Sequence, residues 1–147
     1  MKVNLSFACA CAIAVGGAVA LGGCGQNSAN SDGHITIGLA DFKITPSATE
    51  TSAHQVIFSV ANHAQQKHEL LIIRTDRVPN SLPRSPTEPD RIDEESTDGM
   101  NKLDEETEVE PGANGLIDVK LTPGHYVLIC NITKHYDSGM HTAFVVD

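Results

Sequence analysis

The sequence predicts an all-β sandwich, and two patterns support this fold class. Short segments rich in Val and Ile alternate apolar and polar residues with a period of two, as strands with one buried face do. Turn-forming pairs such as Pro111-Gly112 and Pro123-Gly124 separate these segments, as expected for a sandwich of short strands. The predicted strands cover residues 35–39, 55–61, 70–73, 117–121, 126–129 and 143–146.

The strand predictions rest on two kinds of pattern. Residues 70–73, 126–129 and 143–146 are short apolar runs. No segment after residue 33 has the length and the 3.6-residue period of a long amphipathic helix. In the other three segments the alternating apolar residues are Ile35, Ile37 and Leu39, then Val56, Phe58 and Val60, then Ile117, Val119 and Leu121.

The composition indicates one domain and excludes two classes of protein. The chain has 147 residues, which is the size of a single domain. Its 10 Lys and Arg residues against 19 Asp and Glu residues give a net charge of −9, the wrong sign for a nucleic-acid-binding face. The stretch that is apolar enough to engage a membrane lies at the N-terminus, which excludes a protein with several membrane spans.

The first 24 residues resemble the export signal of a bacterial lipoprotein. Lys2 gives the start a positive charge, residues 5–20 are apolar and uncharged, and residues 21–24 (Leu-Gly-Gly-Cys) match the lipobox pattern. The resemblance implies that residues 1–23 are a lipoprotein signal peptide and that Cys24 is acylated. Residues 24–33 are then a flexible tether before a folded domain at residues 34–147.

This N-terminal pattern implies an exported protein that is lipid-anchored at the extracytoplasmic face of a bacterial membrane. Two alternatives stay open. Ordinary cleavage near Cys24 would release a soluble protein, and an uncleaved segment would act as an N-terminal anchor.

Cysteine counting leaves one thiol in the folded domain. Cys9 and Cys11 lie in the predicted signal peptide and Cys24 is the predicted lipid site, so Cys130 has no partner for an intramolecular disulfide. A lone exposed thiol in an oxidising compartment would be oxidised or cross-linked. We therefore expect Cys130 to be either buried and inert or bound to something.

A long acidic insert interrupts the strand pattern at about residues 77–115. Residues 88–110 hold 11 acidic residues against Arg91 and Lys102, a local charge of −9. A segment of this length is usually functional or disordered. Two interpretations stay open: a docking surface for a basic partner, or a solvated, mobile flap that discourages aggregation.

Three side chains near the C-terminus favour a copper site. Cys130 follows a predicted strand, and His135 and Met140 lie on the loop after it. Thiolate, imidazole and thioether are soft or borderline ligands, and two His, one Cys and a long axial Met make the blue-copper electron-transfer site. The second His must come from elsewhere in the chain. His68 stands just before the apolar run 70–73, where it can reach the same end of the sandwich.

The spacing around these residues resembles that of the cupredoxins, a family of small blue-copper proteins. Their first motif is Asn, one residue, Gly, three residues and the first His ligand, which Asn62, Ala64 and His68 reproduce with Ala in place of Gly. Because Gly reaches positive φ without strain, we expect the turn before His68 to differ from the family's. The Asn62 amide is expected to hydrogen-bond the Cys130 segment and so brace the site.

The second family motif matches more completely. Pro-Gly, one residue, Tyr, three residues and Cys correspond to residues 123–130, and the family's following His and Gly-Met correspond to His135, Gly139 and Met140. Thr133 and Lys134 stand where the family often has Pro-Gly, which indicates a less rigid loop. The resemblance covers roughly residues 35–147 apart from the acidic insert.

The resemblance implies a cupredoxin-like Greek-key β-sandwich that holds one copper ion and cycles it between Cu(II) and Cu(I). The implied ligands are His68, Cys130, His135 and Met140. His135 is expected to be the more exposed ligand and the exit route for electrons to an unidentified redox partner protein. A docking collar around it is expected from Ile132, Tyr136 and Thr142.

Other functions fit the pattern less well. A multicopper oxidase places His on both sides of the Cys, whereas the neighbours of Cys130 are Ile129 and Asn131. A binuclear electron-entry site needs a second Cys on the loop, so the sequence argues against an enzyme. The main alternative is a membrane-tethered protein that captures, delivers or buffers copper together with a copper-handling protein.

Three further alternatives concern the site itself. A metal-free interaction module would leave Cys130 unexplained. Zinc can occupy a site with two His and one Cys, but a coordinated Met argues against it. His141, which follows Met140, is an alternative ligand.

Overall fold

The computed structural model describes residues 31–147, apart from the side chains of Asp104 and Glu105, and folds them into nine β-strands. The predicted signal peptide, the predicted acylation site Cys24 and most of the predicted tether lie outside the described residues. Within the described part of the chain, no helix is long and apolar enough to span a membrane. The strands are β1 (His34–Ala40), β2 (Lys43–Pro46), β3 (Glu50–Thr51), β4 (Gln55–Asn62), β5 (His68–Thr75), β6 (Met100–Val109), β7 (Asn114–Lys120), β8 (Gly124–Ile129) and β9 (His141–Val146).

The strands form two sheets around a shared core, which confirms the predicted all-β sandwich. One sheet has the order β2-β1-β4-β7 and the other the order β3-β9-β8-β5-β6. β1 runs parallel to β4 and β3 parallel to β9, whereas the other paired strands are antiparallel. Alternate residues of β1, β4 and β7, such as Ile37, Phe58 and Ile117, are buried in the core, as the period of two predicts.

Strand β5 is buried on both faces. Alternate residues of the run 70–73 join the core between the sheets, whereas Leu71 and Ile73 belong to a second apolar cluster. Leu82 and Ile92, from the segment between β5 and β6, are part of that second cluster. A continuous apolar run needs cover on both sides, and this segment provides it.

The acidic insert is therefore not a mobile flap. Its residues 100–109 form β6, which pairs with β5 at the edge of its sheet. In the irregular part, Leu82 and Ile92 are buried, and burying two large aliphatic side chains favours an ordered segment by a few kcal/mol. Glu106 and Glu108 stand on the edge strand β6, where charge opposes edge-to-edge pairing with other chains. The docking interpretation stays a prediction.

Four connections meet at one end of the sandwich. β1 and β4 are parallel and pair to their last residues, near Ala40 and at Asn62, and β7 begins opposite the end of β4. β5 begins at His68 opposite the end of β6, while β8 ends beside the start of β9. This end therefore collects the β1–β2 turn and the loops 63–67, 110–113 and 130–140.

Candidate metal centre

Three of the predicted ligands come together at this end of the sandwich. His68 is the first residue of β5, Cys130 follows the last residue of β8, and His135 lies on residues 130–140, called the ligand loop below. β5 pairs with β8 with Leu71 opposite Ile129, so the start of one strand lies beside the end of the other. The ligand atoms of the two histidines and the cysteine all lie within 4.8 Å of one another.

The three ligand atoms form a triangle of the size that one metal ion needs. His68 Nδ1 and His135 Nδ1 are 3.1 Å apart, and Cys130 Sγ lies 3.9 Å from the first and 3.4 Å from the second. A point equidistant from the three atoms is about 2.0 Å from each, which compares with about 2.0–2.1 Å for zinc–nitrogen bonds and about 2.3 Å for zinc–sulfur bonds. A first-row metal ion fits with only a small outward shift of the sulfur.

Burial determines the charge of the ligands in the metal-free protein. His68 and Cys130 are completely buried and His135 is 6% exposed. Desolvation lowers the pKa of both histidines, and His135 lowers the pKa of His68 further. Desolvation also raises the pKa of the Cys130 thiol to about 11. The metal-free site is therefore neutral at pH 7, and a bound cation replaces the thiol proton.

The ring of His68 has one nitrogen without a partner. Nε2 is buried and makes no hydrogen bond with any described residue, whereas Nδ1 faces Cys130 and His135. Buried polar atoms are normally paired. A metal on Nδ1 would leave the proton on Nε2, so Nδ1, which faces the other two ligands, is the ring nitrogen that can bind a metal.

Two backbone amides favour negative charge on the sulfur of Cys130. The Glu69 N–H donates to Cys130 Sγ at 3.5 Å, and a backbone hydrogen bond from Ile132 also favours the thiolate. Such bonds stabilise negative charge on the sulfur and tune the potential of a metal bound to it. In the metal-free protein burial outweighs them, which is why the pKa of the thiol is raised.

Met140 is buried beside the three ligands. Its carbonyl accepts a hydrogen bond from the Cys130 N–H at 3.1 Å, and its own N–H donates to the His135 carbonyl at 3.1 Å. Gly139 before it has φ +105°, a conformation that favours Gly. These two hydrogen bonds join the start and the middle of the ligand loop to Met140 at its end. Its role as the axial ligand stays a prediction.

Asn62 braces the loop before β5 and not the Cys130 segment. Its Nδ2 donates to the carbonyls of Gln66 and Val109, both at 2.8 Å, and its Oδ1 accepts from the Ala64 N–H at 2.9 Å. The predicted hydrogen bond to the Cys130 segment is wrong, because the loop 63–67 folds back over the amide and uses it. Asn62 thus supports the site by fixing the approach of the chain to β5.

Of the two positions where this chain lacks a glycine of the family motifs, one has a positive φ in the structure and the other does not. Ala64 is not among the described residues with positive φ, so its position does not require Gly. Lys134, where the family often has Gly, does adopt the left-handed conformation, with φ +70°. That conformation costs a non-glycine residue on the order of 1–2 kcal/mol. The Lys134 N–H donates to the Asp90 carbonyl at 3.0 Å, a contact that helps to hold it there.

His135 is the more exposed histidine ligand, as expected, although only 6% of it is exposed. Phe42, in the β1–β2 turn, lies edge-on against its ring, with centroids 5.7 Å apart and planes at 88°. Phe42 is itself 43% exposed and has φ +56°, which is unusual for an aromatic residue. The Phe42 ring therefore lies between His135 and the solvent. Of the expected collar, Tyr136 is buried, whereas Ile132 and Thr142 are partly exposed.

Removing the Phe42 ring is expected to raise the pKa of His135. Phe42→Ala lets water reach the imidazole, which stabilises its charged form and moves the pKa toward the ordinary value of 6.5. Proton NMR titration of the metal-free protein measures the change. Phe42→Leu keeps an apolar cover and is the matched control, with a pKa that stays low. An unchanged pKa in Phe42→Ala would mean that another group shields His135.

His141 does not join the ligand group. Its ring lies against Tyr136, with centroids 5.0 Å apart, and burial lowers its pKa. Within residues 31–147, the group of His, Cys and carboxylate side chains placed to hold a metal consists of His68, Cys130 and His135.

The sequence reasoning missed three residues that shape the site: Phe42, Glu69 and Asn131. Glu69 and Asn131 directly follow the ligands His68 and Cys130, and this adjacency was the available signal. For Phe42 the signal was a large apolar residue in the turn that follows the predicted strand 35–39.

Solved structures with the same fold include two auracyanins. The Na-dithionite-reduced auracyanin from the photosynthetic bacterium Roseiflexus castenholzii has a TM-score of 0.55 and 18% identity, over 80% of this chain and 99% of its own. Auracyanin B has a TM-score of 0.56 and 15% identity, over 78% of this chain and 88% of its own. No protein-family model and no curated protein matches the chain. At these identities the two structures establish the fold of this chain, and the predicted resemblance to the cupredoxins is confirmed for the fold.

Proposed function

We propose that this chain, which has the cupredoxin fold, binds one copper ion through His68, Cys130 and His135, with Met140 as axial ligand, and carries single electrons. The observation that carries the proposal is the buried triangle of one thiol sulfur and two imidazole nitrogens at metal-binding distances. This donor set, with a thioether nearby, is the one that blue-copper electron-transfer sites use.

The donor set supports copper over zinc. Structural zinc sites in proteins are almost always tetrahedral, with four Cys, His or carboxylate ligands. Among the described residues this group offers three such ligands, and the next donor along the loop is the thioether of Met140. Copper accepts a trigonal set with a weak, long thioether bond.

The chain's contribution to electron transfer is to hold the ligands still. When bound, copper supplies a Cu(II)/Cu(I) couple. His68 and Cys130 are attached to neighbouring strands of one sheet, and the hydrogen bonds between Cys130, His135 and Met140 fix the ligand loop. Because the ligand positions are set by the fold, little rearrangement has to accompany a change of oxidation state. Burial and the Phe42 ring keep water away from the ligands.

Met140→Leu is expected to retain copper and to change its reduction potential. Loss of a weak electron donor destabilises Cu(II) more than Cu(I), so the potential should rise by on the order of 60 mV, a tenfold change in the one-electron equilibrium. Protein-film voltammetry measures the shift. Met100→Leu, at a buried methionine of the second apolar cluster, is the control. Equal potentials in Met140→Leu and the unchanged protein would mean that Met140 is not axial.

The proposed carrier works outside the cytoplasm as a lipid-anchored protein at the outer face of the cytoplasmic membrane. The lipobox-like residues 21–24 and the polar tether after them support this location. Its partner is a redox protein, and the net charge of −9 argues against nucleic acid. The residues beside Cys130, Ile129 and Asn131, support a carrier over an oxidase.

Copper capture, delivery or buffering is the alternative for the same ligands. A protein that hands over its ion benefits from an open site, whereas His68, Cys130 and His135 are all buried. Burial therefore favours retention of the ion and supports the carrier.

One experiment separates the two functions. The copper-loaded protein is cycled on an electrode, and the Cu(I) form is then incubated with a chromophoric Cu(I) chelator. A carrier gives reversible one-electron voltammetry and releases copper over hours. Irreversible voltammetry together with rapid, complete release to the chelator would contradict the carrier and favour delivery.

A further inference from the structure

The irregular segment between β5 and β6 contacts the ligand loop along much of its length. Tyr136 donates a hydrogen bond to the Pro79 carbonyl and accepts one from the Leu82 N–H at 3.1 Å. Arg84 pairs with Asp137 and lies over the Tyr136 ring, 4.5 Å from its centroid. These contacts surround the residues that directly follow His135.

The contacts are densest at Asn131, the residue after Cys130. Its Oδ1 accepts from the Ile92 N–H at 2.6 Å, and its Nδ2 donates to the Ile92 carbonyl at 3.1 Å and to Glu94 at 2.7 Å. Its own carbonyl accepts from Arg91 Nε at 2.8 Å. Asn131 is itself buried, so unmade hydrogen bonds here would be costly.

Glu69 connects the surroundings of Asn131 with the sulfur. Burial raises the pKa of its carboxyl group, and the backbone N–H of Asn131 acts in the opposite direction. The Glu69 N–H donates to Cys130 Sγ at 3.5 Å. The residues that follow two of the ligands therefore interact electrostatically. Asn131 is also hydrogen-bonded to residues 91–94.

We propose that residues 79–94 form a clasp over the ligand loop and that Asn131 is the positioning residue through which the clasp fixes the copper site. The proposal rests on the proposed function, since it concerns the geometry of the bound ion. The clasp has its own apolar anchors in Leu82 and Ile92, which share the second cluster with Val127 and Ile129 of β8 and with Tyr136 of the ligand loop. It is thus attached to the sheet as well as to the ligand loop.

The geometry explains why a loop with Lys134 in a strained conformation stays in place. The clasp supplies the Asp90 carbonyl to the Lys134 N–H and engages the loop again at Asn131 and Tyr136. Hydrogen bonds at three separate positions restrict the loop in addition to the bonds within it, so local opening of the loop has to break both sets. The cysteine and His135 lie within the part that is restricted.

Two substitutions test the clasp from its two sides. Asn131→Asp keeps the shape but places an oxygen against the Ile92 carbonyl and the Glu94 carboxylate, where Nδ2 donated. Ile92→Ala removes an apolar anchor of the clasp without changing any residue of the ligand loop. Glu95→Gln, at an exposed position of the same region, is the matched control. Asn131→Ser, which keeps a smaller hydrogen-bonding side chain, is the conservative variant if Asn131→Asp does not fold.

The measurements are made on the full chain in detergent micelles, in metal-free and copper-loaded forms. In the metal-free form, hydrogen exchange of the peptide containing residues 130–140 is followed by mass spectrometry. It should be about tenfold faster in Asn131→Asp and Ile92→Ala, which corresponds to about 1.4 kcal/mol of local stability. In the copper-loaded form, the thiolate-to-copper absorption, the EPR hyperfine splitting and the potential should all shift in both variants. The control should match the unchanged protein in every measurement.

Three results would overturn the proposal or its premise. Unchanged exchange in both variants means that residues 79–94 do not hold the loop. Faster exchange with unchanged spectra and potential means that the contacts only stabilise the fold and do not position the copper. Absence of a thiolate-to-copper band in the unchanged protein would overturn the proposed function instead, and the clasp as a restraint would then be decided by hydrogen exchange alone.

Discussion

Cys130→Ser is expected to abolish the thiolate-to-copper absorption and to weaken copper binding by more than about 100-fold, since even outer contacts of a metal site are worth 10–100-fold. Serine replaces the soft thiolate sulfur by a harder hydroxyl oxygen on a shorter side-chain bond, and this hydroxyl does not ionise at neutral pH. The sheet pairing of β5 with β8 does not depend on the sulfur, so the metal-free fold should survive.

The measurement is copper titration followed by visible absorption, with far-ultraviolet circular dichroism to confirm folding. Thr133→Ser, an exposed substitution on the same ligand loop, is the control and should bind copper like the unchanged protein. An intense thiolate-type band in folded Cys130→Ser would exclude Cys130 as the ligand that gives rise to it.

Copper affinity is expected to rise about tenfold per pH unit between about pH 7 and pH 9, a hundredfold in all. Burial raises the pKa of Cys130 to about 11, so the thiol keeps its proton throughout this range and each ion that binds must displace it. Burial lowers the pKa of both histidines below 6.5, so they are already neutral and add no further slope. The sign follows from competition: fewer protons in solution favour the metal.

Competition for Cu(I) with a chromophoric chelator, corrected for the chelator's own protonation, measures this slope. Cys130→Ser is the control, because a variant without the thiol has no proton to displace and should show an almost flat profile. An affinity of the unchanged protein that does not vary between pH 7 and pH 9 would contradict either the raised pKa or the role of the thiolate.

The fold and three ligands were predictable because they depend on local spacing. Alternating residues such as Val56, Phe58 and Val60 identify strands, and a strand that ends just before Cys130 places the cysteine at one end of a sandwich. His68 joins it because β5 and β8 are neighbours, which the apolar pattern alone does not specify but the family spacing implies.

The surroundings of the site were not predictable in the same way, because they depend on contacts between distant segments. The charge and prolines of the insert at residues 77–115 are compatible with a docking surface or with a mobile flap, and neither feature indicates that Leu82 and Ile92 supply the cover that the run 70–73 requires. The cover of His135 by Phe42 joins residues that are far apart in the chain. Asn62 bonds to its own loop and to Val109, which spacing does not distinguish from a bond to Cys130.

Titration of the metal-free domain with Cu(II), followed by visible absorption and EPR, tests the central claim most directly. The protein without residues 1–24 is expressed without metal and titrated to two equivalents. The buried triangle of His68, Cys130 and His135 predicts an intense thiolate-to-copper band that saturates at one equivalent, with narrow copper hyperfine splitting. A colourless protein, or one that binds no copper, would contradict the account.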